Sequence, residues 1–399
     1  MPNNWKTYKL SDALEIKYGK DHKKVQDGTI PIYGTGGIMR YGNQALYDKE
    51  TILIPRKGSL NNIFFLNEPF WSVDTIFWSK INEEVAFPKY LFYNLKVLDF
   101  ASMDVGSAIP SLTTELLKKI EIELPSLEEQ QSIASILSAI DDKIENNLAI
   151  NKTLEEMAMA LYKHWFVDFG PFKDGAFVES ELGLIPEGWE VKKFNDLIEK
   201  VIDNRGKTPP LSNEKTDFLL LETYQLSRKN LFPEVLKDSK AKYVSEDIYN
   251  TKKWFRKGHP KFMDILFATV GNGIPNWSLM YENDGVCIAQ NIVALRPKKE
   301  ISSIFLRYSF ESTKFLDQFD GYVITTAQPS IKLSDLNRIN MLIPSNKVLD
   351  KWTELVSEYV ENVYNNYREN QTLTQLRDTL LPKLISGAVR LKEFREKAV

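Results

Sequence analysis

The chain has few of the residues from which metal and redox sites are usually built. It contains one cysteine, Cys287, and three histidines, His22, His164 and His259. A single cysteine excludes a disulfide framework and cysteine-rich zinc sites, and it is typical of a reducing compartment. The histidines are far apart in the sequence and show no metal-ligand spacing. We therefore expect no metal site in this chain.

Long apolar segments are missing as well. No stretch approaches the roughly 18 uninterrupted apolar residues of a membrane span, and the first ten residues lack the apolar core of a signal peptide. The formal net charge is only −3, so overall charge gives no signature of nucleic-acid binding, and any basic surface must be local. These features predict a cytoplasmic protein.

Sequence motifs for catalysis are absent too. No Gly-x-x-x-x-Gly-Lys-Ser/Thr phosphate loop occurs, and the glycine clusters at residues 34–37 and 271–273 are typical of turns rather than of dinucleotide sites. Neither an Asn-Pro-Pro-Tyr methyltransferase motif nor a nuclease carboxylate cluster is present. Asp141 and Asp142, beside Lys143, are interpreted as a solvated helix face. The sequence thus predicts a binding protein without a cofactor of its own.

One stretch of more than fifty residues occurs twice. Residues 110–111 and 124–126 return as residues 329–330 and 343–345, at a constant offset of 219 residues (from 110 to 329). A repeat of this length predicts two copies of one large unit rather than a solenoid. Residues 189–194 resemble residues 5–10 at an offset of 184, so the second copy has 35 additional residues, the difference between the offsets.

The repeated stretch predicts a long helix in each copy. Ser126 with Glu129 is typical of a capping box, and nothing interrupts the helical pattern before Gly170. About forty residues at a rise of about 1.5 Å predict a rod of roughly 60 Å. Steps of three and four indicate a coiled coil, in which seam asparagines fix register and partner. The predicted seam residues are Ile133, Leu137, Ile140, Ile144, Asn147, Asn151, Leu154, Leu161, Trp352, Val356, Tyr359, Val363, Asn366, Asn370, Leu373 and Leu380.

The chain divides into five predicted segments. They are a first mixed α/β domain at 1–125, a first long helix at 126–169, a linker at 170–188, a second globular domain at 189–344, and a second long helix with a C-terminal tail at 345–399. Short apolar runs between Gly and Asn turns indicate sheet-rich domains. Residues 264–273 are predicted to be the counterpart of residues 52–59.

Basic residues gather in turn-rich segments of both globular domains. Lys and Arg contact phosphates, whereas Arg, Asn, Gln, Ser and Thr can read base edges, so these segments predict a DNA-binding surface. The polar segment from Tyr322 to Ser330 is a further candidate loop. The candidate DNA-contacting residues are Lys23, Lys24, Thr35, Arg40, Arg56, Lys57, Ser59, Arg205, Lys207, Arg228, Lys253, Arg256, Asn272, Thr325, Thr326 and Gln328.

In combination, several motifs resemble the specificity subunits of type I restriction-modification systems. They comprise Pro-Ser-Leu at 110–112, Leu-Pro-Ser-Leu-Glu-Glu-Gln at 124–130, Ile-Asp-Asp-Lys-Ile-Glu-Asn-Asn at 140–147, Leu-Tyr-Lys-His-Trp-Phe-Val-Asp-Phe at 161–169, Leu-Ile-Pro-Glu-Gly-Trp at 184–189 and Leu-Leu-Pro-Lys-Leu-Ile-Ser-Gly at 380–387. The resemblance covers essentially the whole chain. It departs at the start of the second helix, where Asn346-Lys347-Val348 replaces the Leu-Glu-Glu-Gln pattern.

The resemblance implies a fold and a function. The expected fold is α/β (α+β), with two target-recognition domains separated by two long helices that form an antiparallel coiled coil, as a pseudo-twofold internal repeat. Each domain would read one half of a bipartite double-stranded DNA target, and the helices would set the spacing. The chain itself would be non-catalytic. It would recruit two adenine methyltransferase subunits that use S-adenosylmethionine, and restriction subunits driven by ATP and Mg²⁺.

Two other classes of protein remain as alternatives. A methyltransferase or nuclease with a fused recognition domain would require a cofactor motif, which the sequence does not show. A coiled-coil scaffold without a nucleic-acid role would bind no DNA sequence specifically, and it gives no reason for two divergent globular domains.

Overall fold

The computed structural model describes residues 5–104, 109–204, 206, 208–235, 240–271, 274–324 and 327–390. The chain divides into two compact units. Unit 1 consists of Met1–Ile144 together with Thr372–Val399, and unit 2 consists of Glu145–Gln371. Both units therefore include part of each predicted long helix, and each unit has a globular part built from short strands.

The globular part of unit 1 consists of short strands and short helices. In chain order its elements are β1 (Lys6–Lys9), α1 (Leu10–Ala13), β2 (Leu14–Tyr18), β3 (Ile30–Gly34), β4 (Gly37–Gly42), β5 (Thr51–Pro55), β6 (Phe64–Leu66), β7 (Trp71–Ser72), β8 (Ile76–Ile81), α2 (Pro88–Lys96), α3 (Thr114–Lys118) and β9 (Glu121–Leu124).

A long helix, α4 (Leu127–Tyr162), follows β9 and ends in a π-helical turn at Lys163–Val167. The next elements are β10 (Phe177–Ser180), β11 (Gly183–Pro186), β12 (Glu190–Lys193), α5 (Phe194–Leu197), β13 (Ile198–Asp203), β14 (Leu219–Leu221), β15 (Lys242–Tyr243), α6 (Glu246–Asn250), β16 (Ile265–Ala268), β17 (Trp277–Leu279), β18 (Val286–Ile288), β19 (Ile292–Pro297), α7 (Ser303–Ser309), α8 (Thr313–Tyr322), α9 (Leu333–Leu336), β20 (Asn340–Ile343) and the second long helix, α10 (Asn346–Ile385). Residues 170–188, predicted as a linker, contain the antiparallel hairpin β10–β11.

Apart from the hairpin β10–β11 of unit 2, the two units have the same sheet topology. Unit 1 has a four-stranded sheet of order β2-β8-β5-β6, a three-stranded sheet of order β4-β3-β7 and the pair β1-β9. Unit 2 has the orders β13-β19-β16-β17, β15-β14-β18 and β12-β20. In both three-stranded sheets the central strand pairs antiparallel with one neighbour and parallel with the other. The repeat seen in the sequence of the helices thus extends to the globular parts, where few residues match.

Each unit encloses its own apolar core. Full burial of β5 and burial of the first four residues of β8 place apolar side chains between the four-stranded sheet and α2 in unit 1. In unit 2 the corresponding strands β16 and β19 contribute to a core that includes Trp277 and Trp352, both fully buried. Burial of such side chains contributes about 1.5–3 kcal/mol each, and this supports strands too short to be stable alone.

Local chemistry accounts for the start of α4. Glu129 donates its backbone N–H to the Ser126 hydroxyl oxygen at 3.3 Å, as expected of an N-cap serine. Gln130 is buried, and its side-chain amide donates to the carbonyls of Val85 and Pro125 and accepts from the Phe87 N–H. The helix start is therefore tied to the globular part of unit 1.

The two long helices run antiparallel within each unit. In unit 1, Asp141 of α4 pairs with Arg377 of α10, and Glu129, nearer the start of α4, pairs with Arg390, which follows the end of α10. In unit 2, Asn147 contacts Asn370 and Tyr162 contacts Trp352, so positions that come later in α4 meet positions that come earlier in α10. The predicted α/β fold with two globular domains and a long antiparallel helix pair is confirmed.

Candidate nucleic-acid interface

Backbone hydrogen bonds hold three loops side by side at one end of β5 and β8. Arg56 and Lys57 donate their backbone N–H groups to the Thr75 carbonyl, at 2.9 and 3.2 Å. Gly58 donates to the Pro110 carbonyl at 2.9 Å. The loop after β5 is therefore fixed between the turn that precedes β8 and the segment that precedes α3.

The Arg56 side chain is oriented by its neighbours. Its guanidinium lies 5.4 Å from the centre of the Tyr18 ring, and Nη1 donates to the Asp74 carbonyl at 3.1 Å. The Tyr18 ring in turn meets Phe77 edge-on, with ring centres 5.1 Å apart. A guanidinium has five N–H donors, so most of those of Arg56 have no acceptor within the described part of the chain. This leaves Arg56 able to make a bidentate contact with a ligand.

The β3–β4 hairpin brings Thr35 to the same place. Asn62 donates from Nδ2 to the Thr35 carbonyl at 2.6 Å. Gly58 has a φ of +89°, a conformation that favours glycine, and a Cβ placed there would lie 3.6 Å from the Thr35 hydroxyl oxygen. The turn at Gly58 thus brings the loop after β5 close to the hairpin tip.

We call residues 20–24, 34–36, 56–59 and 73–75 the first loop surface. A cavity of about 620 Å³ opens within it, lined by Asp21, His22, Lys23, Gly34, Thr35, Gly36, Met39, Val73, Asp74 and Thr75. The candidates Lys23, Lys24, Lys57 and Ser59 are exposed, and Thr35 and Arg56 are partly exposed. The structure therefore brings these six predicted residues into one region of unit 1.

Arg40, another candidate, is committed to internal contacts. Its guanidinium donates to His22 Nδ1, to the carbonyls of His22, Val25 and Tyr41, and to the Asp27 carboxylate, at 2.7 to 3.3 Å. These five bonds use all five N–H donors of an arginine. The contacts attach the basic loop at residues 20–27 to β4, so Arg40 is placed to position that loop.

Unit 2 repeats the scaffold of the first loop surface. Gly271 donates its N–H to the Pro329 carbonyl at 3.0 Å, and Ile331 donates to the Thr269 carbonyl at 3.0 Å. Thr269 donates to the Asn291 carbonyl at 2.9 Å. The loop after β16 is thus held between the turn that precedes β19 and the segment that precedes α9, as its counterpart is in unit 1.

The strand register makes this correspondence specific. Pro55 pairs with Ile76 in unit 1, and Ala268 pairs with Ile292 in unit 2. From these pairs, the following residues of unit 2 and unit 1 are structurally equivalent: Thr269 and Arg56, Val270 and Lys57, Gly271 and Gly58, Gln290 and Asp74, and Asn291 and Thr75. Three of these positions therefore hold charged side chains in unit 1, Arg56, Lys57 and Asp74, and neutral ones in unit 2, where Thr269 is buried and Gln290 is exposed. The predicted correspondence of residues 264–273 with residues 52–59 agrees with this register.

Arg228, a candidate in unit 2, makes an internal ion pair. Its Nε and Nη2 donate to Oε2 of Glu311 at 3.1 and 2.6 Å, and its guanidinium lies 5.0 Å from the centre of the Trp277 ring. Arg307, which is buried, donates to the same carboxylate and to the Arg228 carbonyl. The network therefore anchors Arg228 to the core of unit 2.

The remaining candidates of unit 2 are dispersed. Lys253, stacked 4.9 Å from the Trp254 ring centre, and Arg256 are exposed in the segment after α6. Gln328 is exposed beside Pro329. The candidates Arg205, Lys207, Asn272, Thr325 and Thr326 lie outside the described residues.

Sequence reasoning missed several residues of these surfaces. Tyr18 orients Arg56, the exposed Asp74 and Gln290 lie in the corresponding turns, and the buried Thr269 lies next to the turn of unit 2. A search for basic residues passes over them, because none carries a positive charge. The signal that identifies Gln290 is its position in the turn before β19, which only the strand register reveals.

All sixteen predicted seam residues are buried or partly buried. The buried seam residues are Ile133, Leu137, Ile140, Ile144, Asn147, Asn151, Trp352, Val356, Val363 and Asn370. The partly buried seam residues are Leu154, Leu161, Tyr359, Asn366, Leu373 and Leu380. In four successive heptads of α10 the residue that follows a predicted position is buried more deeply, namely Val360, Tyr367, Thr374 and Leu381. Arg377 is buried in the seam as well. An apolar pattern does not reveal Thr374 and Arg377, because they are polar.

Asp141 is a partly buried acid of the unit 1 seam. Tyr93 donates its hydroxyl to Oδ2 at 2.7 Å, and Arg377 donates from Nη1 to Oδ1 at 3.0 Å. Burial raises the pKa of this carboxyl, but the bonds from Tyr93 and Arg377 and the charge of Lys96 outweigh it, so the pKa lies below its ordinary value. The interpretation of Asp141 as part of a solvated face is therefore wrong. The exposed Asp142 fits that interpretation.

Four asparagines form a polar layer in the unit 2 seam. Asn147 donates from Nδ2 to Oδ1 of Asn370 at 2.9 Å, and Asn366 donates from Nδ2 to Oδ1 of Asn151 at 2.8 Å. The 219-residue offset of the repeat carries Asn147 onto Asn366 and Asn151 onto Asn370, so it exchanges the two pairs. The layer is thus made from equivalent positions of the two helices.

Within the described ranges, no group of three or more His, Cys, Asp or Glu side chains is arranged to hold a metal ion. Cys287 is buried, and burial raises the pKa of its thiol to about 12. A search of the described helices finds none long and apolar enough to cross a membrane.

A scaffold that occurs twice with different exposed side chains is typical of a recognition protein. Residues 2–156 match the family described as "Type I restriction modification DNA specificity domain". This match assigns the first part of the chain to the class of DNA specificity domains, and target recognition on DNA is the function of that class.

Curated relatives extend the similarity over the whole chain. The chain is 28% identical to the type I restriction enzyme MjaIX specificity subunit of Methanocaldococcus jannaschii, over 99% of this chain and 95% of the relative. It is 25% identical to the HindI specificity subunit of Haemophilus influenzae, over 77% and 79% of the two chains. The resemblance to type I specificity subunits is confirmed, and so is the prediction of a specificity subunit rather than a catalytic one.

A solved structure shows the same fold. The type I restriction-modification S subunit from M. genitalium superposes with a TM-score of 0.58 and 16% sequence identity, covering 96% of this chain and 97% of that one. At this level of identity the similarity concerns the fold alone.

Proposed function

We propose that this chain reads a bipartite double-stranded DNA target, with one half-site bound by each globular domain. The recognition domains are residues 1–125 and 189–344. The observation that carries the proposal is the repeated scaffold, in which the same backbone bonds hold different side chains. Backbone position fixes where a side chain meets DNA, and the side chain decides which base is accepted. Two domains with different side chains on one scaffold would therefore read two different half-sites.

The charges of the first loop surface support DNA as the ligand. Lys23, Lys24 and Lys57 are exposed around the cavity, and Arg56 has N–H donors without an acceptor in the described part of the chain. Lysines of this kind neutralise phosphates, which gives affinity that depends on salt concentration, whereas a guanidinium held in one orientation can read guanine through O6 and N7. The surface thus combines both kinds of contact although the chain as a whole is slightly acidic.

The proposal includes partner subunits. Two adenine methyltransferase subunits with S-adenosylmethionine, and restriction subunits with ATP and Mg²⁺, would supply the chemistry in the cytoplasm. The long helices offer a place for such partners, because they expose apolar side chains away from the seam: Ile136 and Leu376 in unit 1, and Leu148, Ile150, Met157 and Leu355 in unit 2. Exposed apolar side chains at helical spacing are typical of a docking face.

Domain replacement tests the reading function. The chain is reconstituted with its methyltransferase subunits, and methylated adenines are mapped by sequencing. Replacing residues 1–108 with the matching part of another specificity subunit should change one half-site and leave the other unchanged. A target that stays the same in both halves would overturn the proposal, as would a wild-type complex that binds no DNA sequence specifically.

Substitution of the loop after β5 tests the interface itself. Arg56→Ala with Lys57→Ala should weaken binding by about 1–3 kcal/mol if Arg56 reads a base. If affinity falls equally for all DNA sequences and depends less steeply on salt concentration, the two residues contact phosphates only. Unaltered affinity and salt slope would remove this loop from the interface.

The helix face is tested separately. Ile150 and Met157 lie seven residues apart on one face of α4, so Ile150→Lys with Met157→Lys should prevent assembly with the methyltransferase while the chain still folds. Lys152→Gln, an exposed polar site on the same helix, is the control. Assembly of the double variant at wild-type affinity would exclude this face as the docking site.

A further inference from the structure

Asp74 is an acid on a surface whose other charged groups are mostly basic. It lies in the turn before β8 and lines the 620 Å³ cavity, and its backbone carbonyl accepts the bond from Arg56. The side chain is exposed, and within the described residues its carboxylate has neither a hydrogen-bond donor nor a cation partner. It is therefore not required for an internal contact seen in unit 1.

A carboxylate at a DNA surface opposes binding unless it accepts a hydrogen bond. Phosphates repel it, so it reduces the affinity for DNA of any sequence. Its useful contact in the major groove is with an exocyclic amino group, and cytosine N4 is the usual donor to an aspartate. Arg56, fixed beside Asp74, has the complementary chemistry and suits a guanine edge.

The equivalent turn of unit 2 holds a residue with different chemistry. Gln290 occupies the position of Asp74 in the turn before β19, and it too is exposed, without a side-chain partner in the described part of the chain. A glutamine amide both donates and accepts, which matches the N7 and N6 groups of adenine. The two units therefore present a cytosine-type and an adenine-type reader at one scaffold position.

We propose that the turn before the second strand of each four-stranded sheet reads one base of each half-site, with Asp74 accepting from the amino group of cytosine and Gln290 pairing with adenine. This proposal rests on the proposed function, because it requires each globular domain to bind its own half-site. It identifies the residues that select a base at one position in each half.

Asp74→Asn and Asp74→Gln test the first half. The full complex with the methyltransferase subunits is assayed on duplexes that carry the methylated target of the wild type and every single-base substitution in both half-sites. Asp74→Asn should reduce discrimination at one position of one half-site about tenfold or more. It should also strengthen binding to unrelated duplexes, because a charge that repels phosphates is removed. Asp74→Gln should shift the preference at that position from cytosine to adenine.

Glu83→Gln is the matched control, since it removes the same charge from an exposed site at the other end of β8. It should leave base preference unchanged. Gln290→Asp tests the second half independently, and should shift one position of the other half-site from adenine to cytosine.

The outcomes separate the two proposals. Sequence-specific binding with unchanged base preference in the Asp74 and Gln290 variants would overturn the base assignment and leave the proposed function standing. Loss of preference at several positions at once would indicate a structural role for the turn, and would also overturn the assignment. A wild-type complex without sequence-specific binding would overturn the proposed function itself.

Discussion

Asp141 and Glu155 lie on the same helix, but their surroundings shift their pKa values in opposite directions. Asp141 accepts bonds from Tyr93 and Arg377, which outweigh the cost of burial and lower its pKa. Burial raises the pKa of Glu155 to about 7, although the Leu231 backbone N–H and the charge of Arg307 act the other way. A buried carboxylate is stable only where donors compensate for lost water. The two acids therefore give opposite dependences of stability on pH.

Asp141 should stabilise unit 1 at neutral pH. Its pKa in the folded state lies below the unfolded value of about 3.9, so its contribution is present above about pH 4 and is lost as pH falls through the folded pKa. Asp141→Asn should lower the free energy of unfolding by about 1.5–3 kcal/mol at pH 7, because it breaks a hydrogen-bonded ion pair. Urea titrations at pH 7 and pH 3 measure this.

The exposed neighbour Asp142 is the control for this prediction. Asp142→Asn should change the stability of unit 1 by no more than about 0.5 kcal/mol at either pH, as is usual for surface substitutions. Equal effects of the two substitutions would contradict a structural role for the Asp141–Arg377 pair.

Glu155 should destabilise unit 2 as pH rises. Its unfolded pKa of about 4.3 is lower than its folded value, so the folded state holds a proton that the unfolded state releases. Stability is lost between about pH 4 and pH 7 and stays constant above. Glu155→Gln should raise the free energy of unfolding at pH 8 by roughly 2–4 kcal/mol and change it little at pH 4. Glu156→Gln, an exposed neighbour, should have little effect at either pH. A stabilisation independent of pH would contradict the role of ionisation.

Three arginines in basic loops have different roles in the structure, although their residue type is the same. Arg40, Arg56 and Arg228 are equivalent in a search for basic loops. In the structure, Arg40 donates from all five of its N–H groups and Arg228 is held by an ion pair with Glu311. Within the described residues, the Arg56 side chain donates only to the Asp74 carbonyl. Whether a guanidinium faces a ligand depends on which acceptors tertiary folding brings near it, and sequence spacing does not give that.

At the scale of elements, the helix pair derives its register from polar contacts. The asparagine layer lies inside an otherwise apolar seam of unit 2, where a displaced pairing would leave amides without partners. Unsatisfied buried amides cost about 1–3 kcal/mol each, so alternative registers are disfavoured. A layer that contributes little net stability can thus select one pairing, as single asparagines do in coiled coils.

Asn147→Leu alone should destabilise unit 2 by about 1–3 kcal/mol, because Asn370 loses its donor. Asn147→Leu with Asn370→Leu should recover most of this loss, because both amides are gone. Urea unfolding of the two single variants and the double variant gives the coupling free energy. The exposed Asn146→Leu is the control. Additive effects of the two substitutions would contradict the pairing.

The complex that contains the Asn147→Leu and Asn370→Leu double variant should also accept a wider range of spacer lengths between the two DNA half-sites. Without the layer, leucine pairs tolerate neighbouring registers, so methylated-site sequencing should show more than one spacer length. A single spacer identical to that of the wild type would mean that other seam contacts fix the register.

At the scale of the whole molecule, the helices are expected to set the distance between half-sites. One heptad inserted after Asn151 and a matching heptad inserted before Asn366 keep the 3.5-residue period and the Asn151–Asn366 pairing. Seven residues add about 10 Å of helix, and DNA rises about 3.4 Å per base pair. We expect a spacer longer by about three base pairs, with both half-site sequences unchanged. Mapping of methylated adenines measures both.

A heptad inserted in α4 alone is the control, because it places the two helices out of register and should abolish assembly. An unchanged spacer in the fully active double insertion would show that the methyltransferase subunits, and not the helices, set the spacing.

The sequence by itself determined the repeat, the long helices and the class of protein. These features depend on local patterns: seam residues recur every three or four positions, Ser126 caps the first helix, and the repeated motifs keep one offset. The predicted seam contains its apolar positions and four asparagines, but not Thr374 and Arg377. Local patterns suffice for these features because helix periodicity and capping involve residues close together in the chain.

Only the tertiary structure decided which residues share a surface and which acids are buried. The register of β16 with β19 brings Thr269 beside Asn291, and that of β5 with β8 brings Arg56 beside Asp74 and Thr75. Asp141 is partly buried in an ion pair because Tyr93 and Arg377 come from distant parts of the chain. Such contacts join residues far apart in sequence, so their partners follow from strand pairing and helix packing and not from local composition.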